Sequence, residues 1–151
     1  MMKREIKFRG RRLDNGRWVY GSLIQNINDK GVIVSFIVPS LPFMATPQGA
    51  WTAMMYPVDT STVGQYMMLK DKNGKKIYEG DIFIELERLQ GDDIPREVTF
   101  ENGAFRCAYT KKHWAKGYNN VPFNFLYDLK DGNIEVVGNI HDQNFKQNDN
   151  K

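Results

Sequence analysis

The strongest constraint on this chain is its punctuation. Short runs of β-branched and aromatic residues are cut at close intervals by glycine-containing turns. Asn15-Gly16, Asn73-Gly74 and Asn102-Gly103 are dipeptides that accept the positive φ angles of a tight hairpin turn. Asn28-Asp29-Lys30-Gly31, Tyr78-Glu79-Gly80-Asp81 and Asp131-Gly132 mark further turns. Short strands joined in this way make a small barrel or sandwich.

The runs between the turns read as strands. Ile6-Lys7-Phe8-Arg9 alternates apolar and basic, the period of a strand with one wet face. Trp18 to Ile24 is its return strand, and the β-branched run Val32 to Val38 is long enough to be buried. Thr62 to Tyr66 and Ile82 to Leu86 follow, with Ile82, Ile84 and Leu86 expected on one face. Val98-Thr99-Phe100, Glu101-Asn102-Gly103 and Ala104 to Tyr109 make the clearest hairpin. Phe125 to Tyr127 and Ile134 to Ile140 make a last one. Between them, Lys111 to Pro122 is irregular, with room for a short helical turn.

One segment breaks the pattern. Pro39 to Pro57 holds four of the six prolines, so it is expected to be an ordered loop and not a sheet strand. It also carries Phe43, Met44, Trp51, Met54, Met55 and Tyr56, too apolar a set for a solvated linker. Phe43, Trp51, Met54, Met55 and Tyr56 are therefore candidate contacts between subunits.

Charge and composition narrow the function. The formal charge of +3, from 21 basic and 18 acidic residues, is too small to argue for nucleic acid by itself. Cys107 is the one cysteine, so an intrachain disulfide and a thiolate zinc site are both excluded. In the run AFRCAY it reads as a small core residue. No apolar run nears the ~18 residues that span a bilayer. The basic start MMKREIKFRGRR lacks the apolar core of a secretory signal, which points to the cytoplasm.

Catalytic motifs are sparse. His113 and His141 are the only histidines, and there is no Gly-x-Ser-x-Gly elbow, Walker loop or Gly-x-Gly-x-x-Gly. Asp81, Glu85, Glu87, Asp92 and Asp93 form an acidic group that suits a divalent cation or, more simply, a solvated face. A non-enzyme without cofactor is the expectation. Basic clusters interleaved with aromatics are the better binding signal. Lys7, Arg9, Arg11 and Arg12 crowd the start. Lys70, Lys72, Lys75 and Lys76 bracket the central turn, and Trp114 stands among Lys111, Lys112 and Lys116. Such sets neutralise phosphates and stack bases, so these residues are candidate nucleic-acid contacts.

Several stretches share one order with a known family. They are Arg4 to Gly10, Trp18-Val19-Tyr20-Gly21, Thr62 to Tyr66, Leu69-Lys70-Asp71-Lys72-Asn73-Gly74-Lys75-Lys76-Ile77-Tyr78-Glu79-Gly80-Asp81-Ile82 and Glu135 to Ile140. In this order the chain resembles the YopX family of bacteriophage and prophage proteins, from about Arg4 to Ile140. Met67-Met68 stands where that family often has a small residue and Gly. His141 to Phe145 stands where it more often has an aromatic-acidic-Asn-Pro close. The resemblance implies a mostly β fold with an SH3-type barrel in the second half, and a tendency to self-assemble. It carries no catalytic residue onto this sequence.

The resulting expectation is an all-β protein in three parts: an N-terminal β-hairpin extension and loop over 1–58, a small SH3-like barrel over 59–142, and a polar tail over 143–151. Its expected role is an oligomeric binding or scaffolding module in the bacterial host cytoplasm, with nucleic-acid binding as the alternative.

Overall fold

The structure is a computed structural model and describes residues 4–39, 55–86, 94–109 and 131–142. Among these every regular element is a strand: β1 (Phe8–Arg12), β2 (Trp18–Ile27), β3 (Ile33–Pro39), β4 (Tyr56–Lys70), β5 (Lys76–Tyr78), β6 (Asp81–Glu85), β7 (Arg96–Glu101), β8 (Ala104–Tyr109) and β9 (Ile134–Asn139). The chain is all-β, as its punctuation implies. It packs as two compact units, residues 1–66 and 67–151, so the division falls inside β4 and not at 58.

In the first unit β1 pairs antiparallel with β2, β2 with β3 and β3 with β4, and β4 returns to pair with β1. The four strands close a barrel-like ring in the half of the chain where a hairpin extension was expected. Closure needs an irregularity. Arg9 faces Gly64 while Arg11 faces Asp59, so β4 bulges between them. The bulge Asp59-Thr60-Ser61-Thr62 satisfies its own polar groups. The Thr62 hydroxyl donates to the Asp59 carbonyl at 2.7 Å and accepts from the Arg11 amide at 2.8 Å. Asp59 Oδ1 accepts from both the amide and the hydroxyl of Ser61.

Two glycines let the ring close. A Cβ on Gly21 would lie 1.8 Å from the Val38 carbonyl oxygen, a backbone atom that cannot move aside. A Cβ on Gly10 would meet Val58 at 2.9 Å. The buried set is small and mixed: Ile37, Val58 and Tyr66 are its apolar members, and Arg9, Ser35 and Thr62 its polar ones.

The loop expected over Pro39 to Pro57 is strand at both ends. Pro39 closes β3 opposite Gly21, and Pro57 lies in β4 opposite Phe36. In a strand, one residue's amide and carbonyl point to the same neighbour. The Pro57 carbonyl accepts from the Leu13 amide at 3.0 Å, just past the end of β1, so the missing amide forfeits no ladder bond.

The second unit holds an antiparallel sheet in the order β8-β7-β6-β9. Its core is apolar: Met67, Ile77, Phe83, Val98 and Ile134, flanked by Leu69, Phe105, Cys107 and Val136. Asn102 and Gly103 both have positive φ, as the two-residue hairpin between β7 and β8 requires. In β6 the expected alternation fails. Asp81, Ile82 and Phe83 are all buried while Leu86 is exposed, so both faces of β6 are covered at its start; the β6–β9 register shift between Ile82 and Phe83 leaves its extra residue, Val137, in β9.

Candidate functional site

Strand β1 carries the first basic cluster. The Asn15-Gly16 turn sets its register with β2, placing Arg9 opposite Tyr20 and Arg11 opposite Trp18. Arg9 and Arg11, two apart, project from one face. Their guanidinium carbons lie 4.6 and 5.0 Å from the centre of the Trp18 ring. A cation over an indole face is held by the ring quadrupole, more strongly where water is excluded. Arg9 is 3% exposed although its register with Tyr20 sets it on the face opposite Ile37, so it is a buried bracing residue on the Trp18 side of the sheet. Arg12 projects the other way, 3.9 Å over the Tyr56 ring and bonded to the Asp14 carboxylate. That hydrogen bond pushes the Arg12 pKa above its ordinary value and holds Asp14 below its own. Lys7 is half-buried, and its carbonyl accepts from the Tyr66 amide at 2.8 Å.

The second basic cluster is the turn between β4 and β5, organised by one buried carboxylate. Asp71 Oδ1 accepts from the amides of Asn73 (2.8 Å) and Lys75 (2.9 Å), and its backbone amide donates to the Lys75 carbonyl. The turn is also tied to the start of β9. The Lys70 amide donates to Asp131 Oδ1, and the Lys72 amide to the Ile134 carbonyl. Lys72 Nζ pairs with Glu135 at 2.6 Å. Lys70, Lys72 and Lys75 are exposed and Lys76 is half-buried. Asp71, Asp131 and Glu135 offset much of their charge.

The acidic residues that fall within the described residues are built into the backbone frame. Asp81 is 1% exposed. Its Oδ2 accepts from the Tyr78 amide at 2.9 Å and its Oδ1 from Asn139 Nδ2 at 3.2 Å. Asn139 in turn accepts from the His141 amide. Glu85 pairs with the buried Arg96 at 2.7 Å, and Arg96 lies over the Tyr109 ring. Among the described residues no group of three His, Cys, Asp or Glu side chains converges as a metal site would. Glu87, Asp92 and Asp93 lie outside them.

Cys107 borders the core, and its burial pushes the thiol pKa up to about 12, against the opposing pull of Arg96. A thiol so raised is neutral and a poor nucleophile. Of the apolar segment, Met55 and Tyr56 are half-buried, with Tyr56 under Arg12. Phe43, Trp51, Met54, Trp114 and the expected helical turn near His113 lie outside the described residues, as does the strand expected at Phe125 to Tyr127. No helix of the described residues is long and apolar enough to cross a membrane.

The stacking of Arg9 and Arg11 on Trp18 is absent from a reading of charge alone. A signal for it exists: pairing the chain outward from Asn15-Gly16 sets the arginines against Trp18 and Tyr20. The Asp81–Asn139 bond, 58 positions apart, has no such local signal.

Together the fold and these placements define a two-unit all-β protein whose charged and aromatic side chains brace strands and turns. The comparisons with known proteins agree on the class. The chain belongs to the YopX family: the family model, described as YopX protein, matches residues 7–144. Among solved structures it is similar to the crystal structure of protein EF1440 from Enterococcus faecalis, at 21% identity and a TM-score of 0.51, over 91% of this chain and 94% of that one. That likeness shows the shared fold. No curated protein matches the chain.

Proposed function

We propose that this YopX-family chain is a phage- or prophage-encoded, non-enzymatic module that works by assembling and binding in the cytoplasm of the bacterial host. The observation that carries this reading is the hairpin of β2 and β3. Ile24, Ile27, Val32 and Ile33 are all exposed there, at 44, 65, 56 and 51%. Ile27 and Ile33 are ladder partners on one face, and exposed apolar side chains grouped in this way mark interaction sites. The non-enzymatic part is supported by the carboxylates, since Asp71, Asp81 and Glu85 are engaged by amides or by Arg96. The SH3-type reading of the second half belongs to the same proposal, supported by the β6-β7-β8 meander with β9 returning beside β6. Sedimentation of the full chain across a concentration series tests assembly. Mass rising with concentration is the expected result, and a monomer throughout sinks the reading.

A second reading has its own observation: Lys70, Lys72 and Lys75 are exposed on one turn. A phosphate-binding turn would give salt-sensitive binding of labelled DNA or RNA that weakens in a Lys70/Lys72/Lys75/Lys76→Ala variant. No binding at low salt returns those lysines to a solvated turn.

A further inference from the structure

Among the described residues, β2 beyond Gly21 has a strand on one side only. Ser22 to Ile27 pair with Val38 to Ile33 of β3, whereas the β1 pairing stops at Phe8 opposite Gly21. β3 in turn meets β4 only from Ile37 to Ser35. The hairpin therefore continues as a two-stranded arm. Among the described residues, nothing pairs with its β2 edge.

Open edges are ordinarily guarded by charge, proline or a bulge. The edge Ser22-Leu23-Ile24-Gln25-Asn26-Ile27 has none of these: it carries no charged residue and no proline, and its ladder with β3 is unbroken. Leu23, Gln25 and Ile27 lie on the face shared with the buried Ile37, and Ile27 stands at the exposed end of that row. An apolar row that starts in a core and ends in solvent is unfinished.

We propose that this edge pairs antiparallel with the same edge of a second copy of the chain, about a two-fold axis at Gln25. The proposal rests on the assembly reading above and names its interface. Two features favour a second copy. The edge is uncharged, so two copies approach without repulsion despite a chain charge of +3. A register centred on Gln25 keeps the core faces of both copies on one side and sets Ile27 opposite the second copy's Leu23. A centre between two residues would instead turn one apolar row outward. So short an edge makes a small interface, and the dimer is weak and concentration-dependent.

The test is sedimentation equilibrium of the full chain, wild type against Gln25→Lys/Ile27→Lys, with circular dichroism to show that both are folded. Facing lysines are expected to raise the dimer Kd by about tenfold or more. A second variant, Gln25→Cys, sets two thiols opposite each other across the axis at ~5 Å between Cα atoms, within disulfide range. It is expected to cross-link on mild oxidation, while Lys75→Cys does not. This arm stands even if the lysine variant fails to fold. An oligomer untouched by the lysines, with no cross-link in the Gln25→Cys variant, overturns the edge pairing and leaves the assembly reading standing. A wild-type monomer at every concentration overturns both.

Discussion

The two units solve the problem of a small core in different ways. The second does it by apolar burial, with Phe83, Ile77, Val98 and Ile134 at 0% exposure around Met67. Among its described residues the first has only Ile37, Val58 and Tyr66 as large buried apolar side chains, and it also buries an arginine, Arg9. It relies instead on close backbone approach at Gly10 and Gly21 and on guanidinium groups stacked on Trp18. A ring of four strands encloses too little volume for large side chains, so shape and stacking replace bulk. The lesson is that the same strand-and-turn pattern can be stabilised by what is present in one half and by what is left out in the other.

Substitutions can break that contrast. Phe83→Ala, at the centre of the apolar cluster, is expected to cost about 4 kcal/mol. Urea denaturation measures it, and hydrogen exchange should show the loss first in β6, β7 and β9. Gly21→Ala is expected to cost about 3 kcal/mol or more, since the new methyl meets a backbone oxygen. Its exchange signature should centre on β1, β2 and β3. If either substitution exposes both units equally, the two cores are one cooperative system and the contrast fails. Trp18→Leu keeps an apolar side chain and removes the stacking partner of Arg9 and Arg11, and is expected to cost about 1–2 kcal/mol. A loss below 0.5 kcal/mol, roughly the size of a neutral surface change, would show that stacking contributes little.

Met68 sharpens the comparison from the boundary. It has a φ of 70°, a left-handed conformation that a side chain makes costly, and it is exposed. It stands where YopX proteins often have Gly. Met68→Gly is expected to raise stability by about 1 kcal/mol or slightly less, the strain relieved minus the added freedom of the unfolded chain. A lower melting temperature would mean the side chain contributes more than its backbone costs.

Cys107 gives the smallest effect and a pH signature. Its thiol is raised to about 12 when folded, above the ~8.5 of an unfolded cysteine. The raised pKa means the folded form keeps its proton longer. The associated stability is full below the unfolded value and is lost as pH rises from there toward about 12. Labelling by a thiol reagent at about pH 8 should be slow and should follow unfolding. Rapid labelling of the native protein would contradict the buried, neutral thiol.

Much of the fold was legible in local chemistry. Asn-Gly at 102–103 marked a hairpin because few other pairs accept two positive φ angles, and at 15–16 the positive φ falls on Gly16 alone. Tyr78-Glu79-Gly80-Asp81 was legible as a turn, and the Asp81 carboxylate closes it by accepting from the Tyr78 amide. What stayed hidden was non-local. Closure of β4 on β1 depends on a bulge at 59–62, and polar residues such as Thr60 and Ser61 give no sign of it in a strand. The end of β2 was also misjudged. Gln25 and Asn26 look like a break, yet they continue to pair with β3 because an arm in solvent tolerates polar side chains on both faces. The basic residues at the start were legible as a cluster. Charge alone did not show which would be stacked and which solvated.

Ring closure also has a consequence for the chain as it is made. Arg11 and Thr62, which meet across the β1–β4 bulge, are 51 positions apart. At ordinary rates of synthesis that interval takes about 3–10 s, whereas a hairpin forms in about 1–10 μs. The β1–β2 hairpin therefore spends almost the whole interval outside the ribosome with the β1 edge open, waiting for the strand that covers it. The basic residues at 7, 9, 11 and 12 lie on that strand or directly before it, and charge on an open edge is a general device against pairing with another chain.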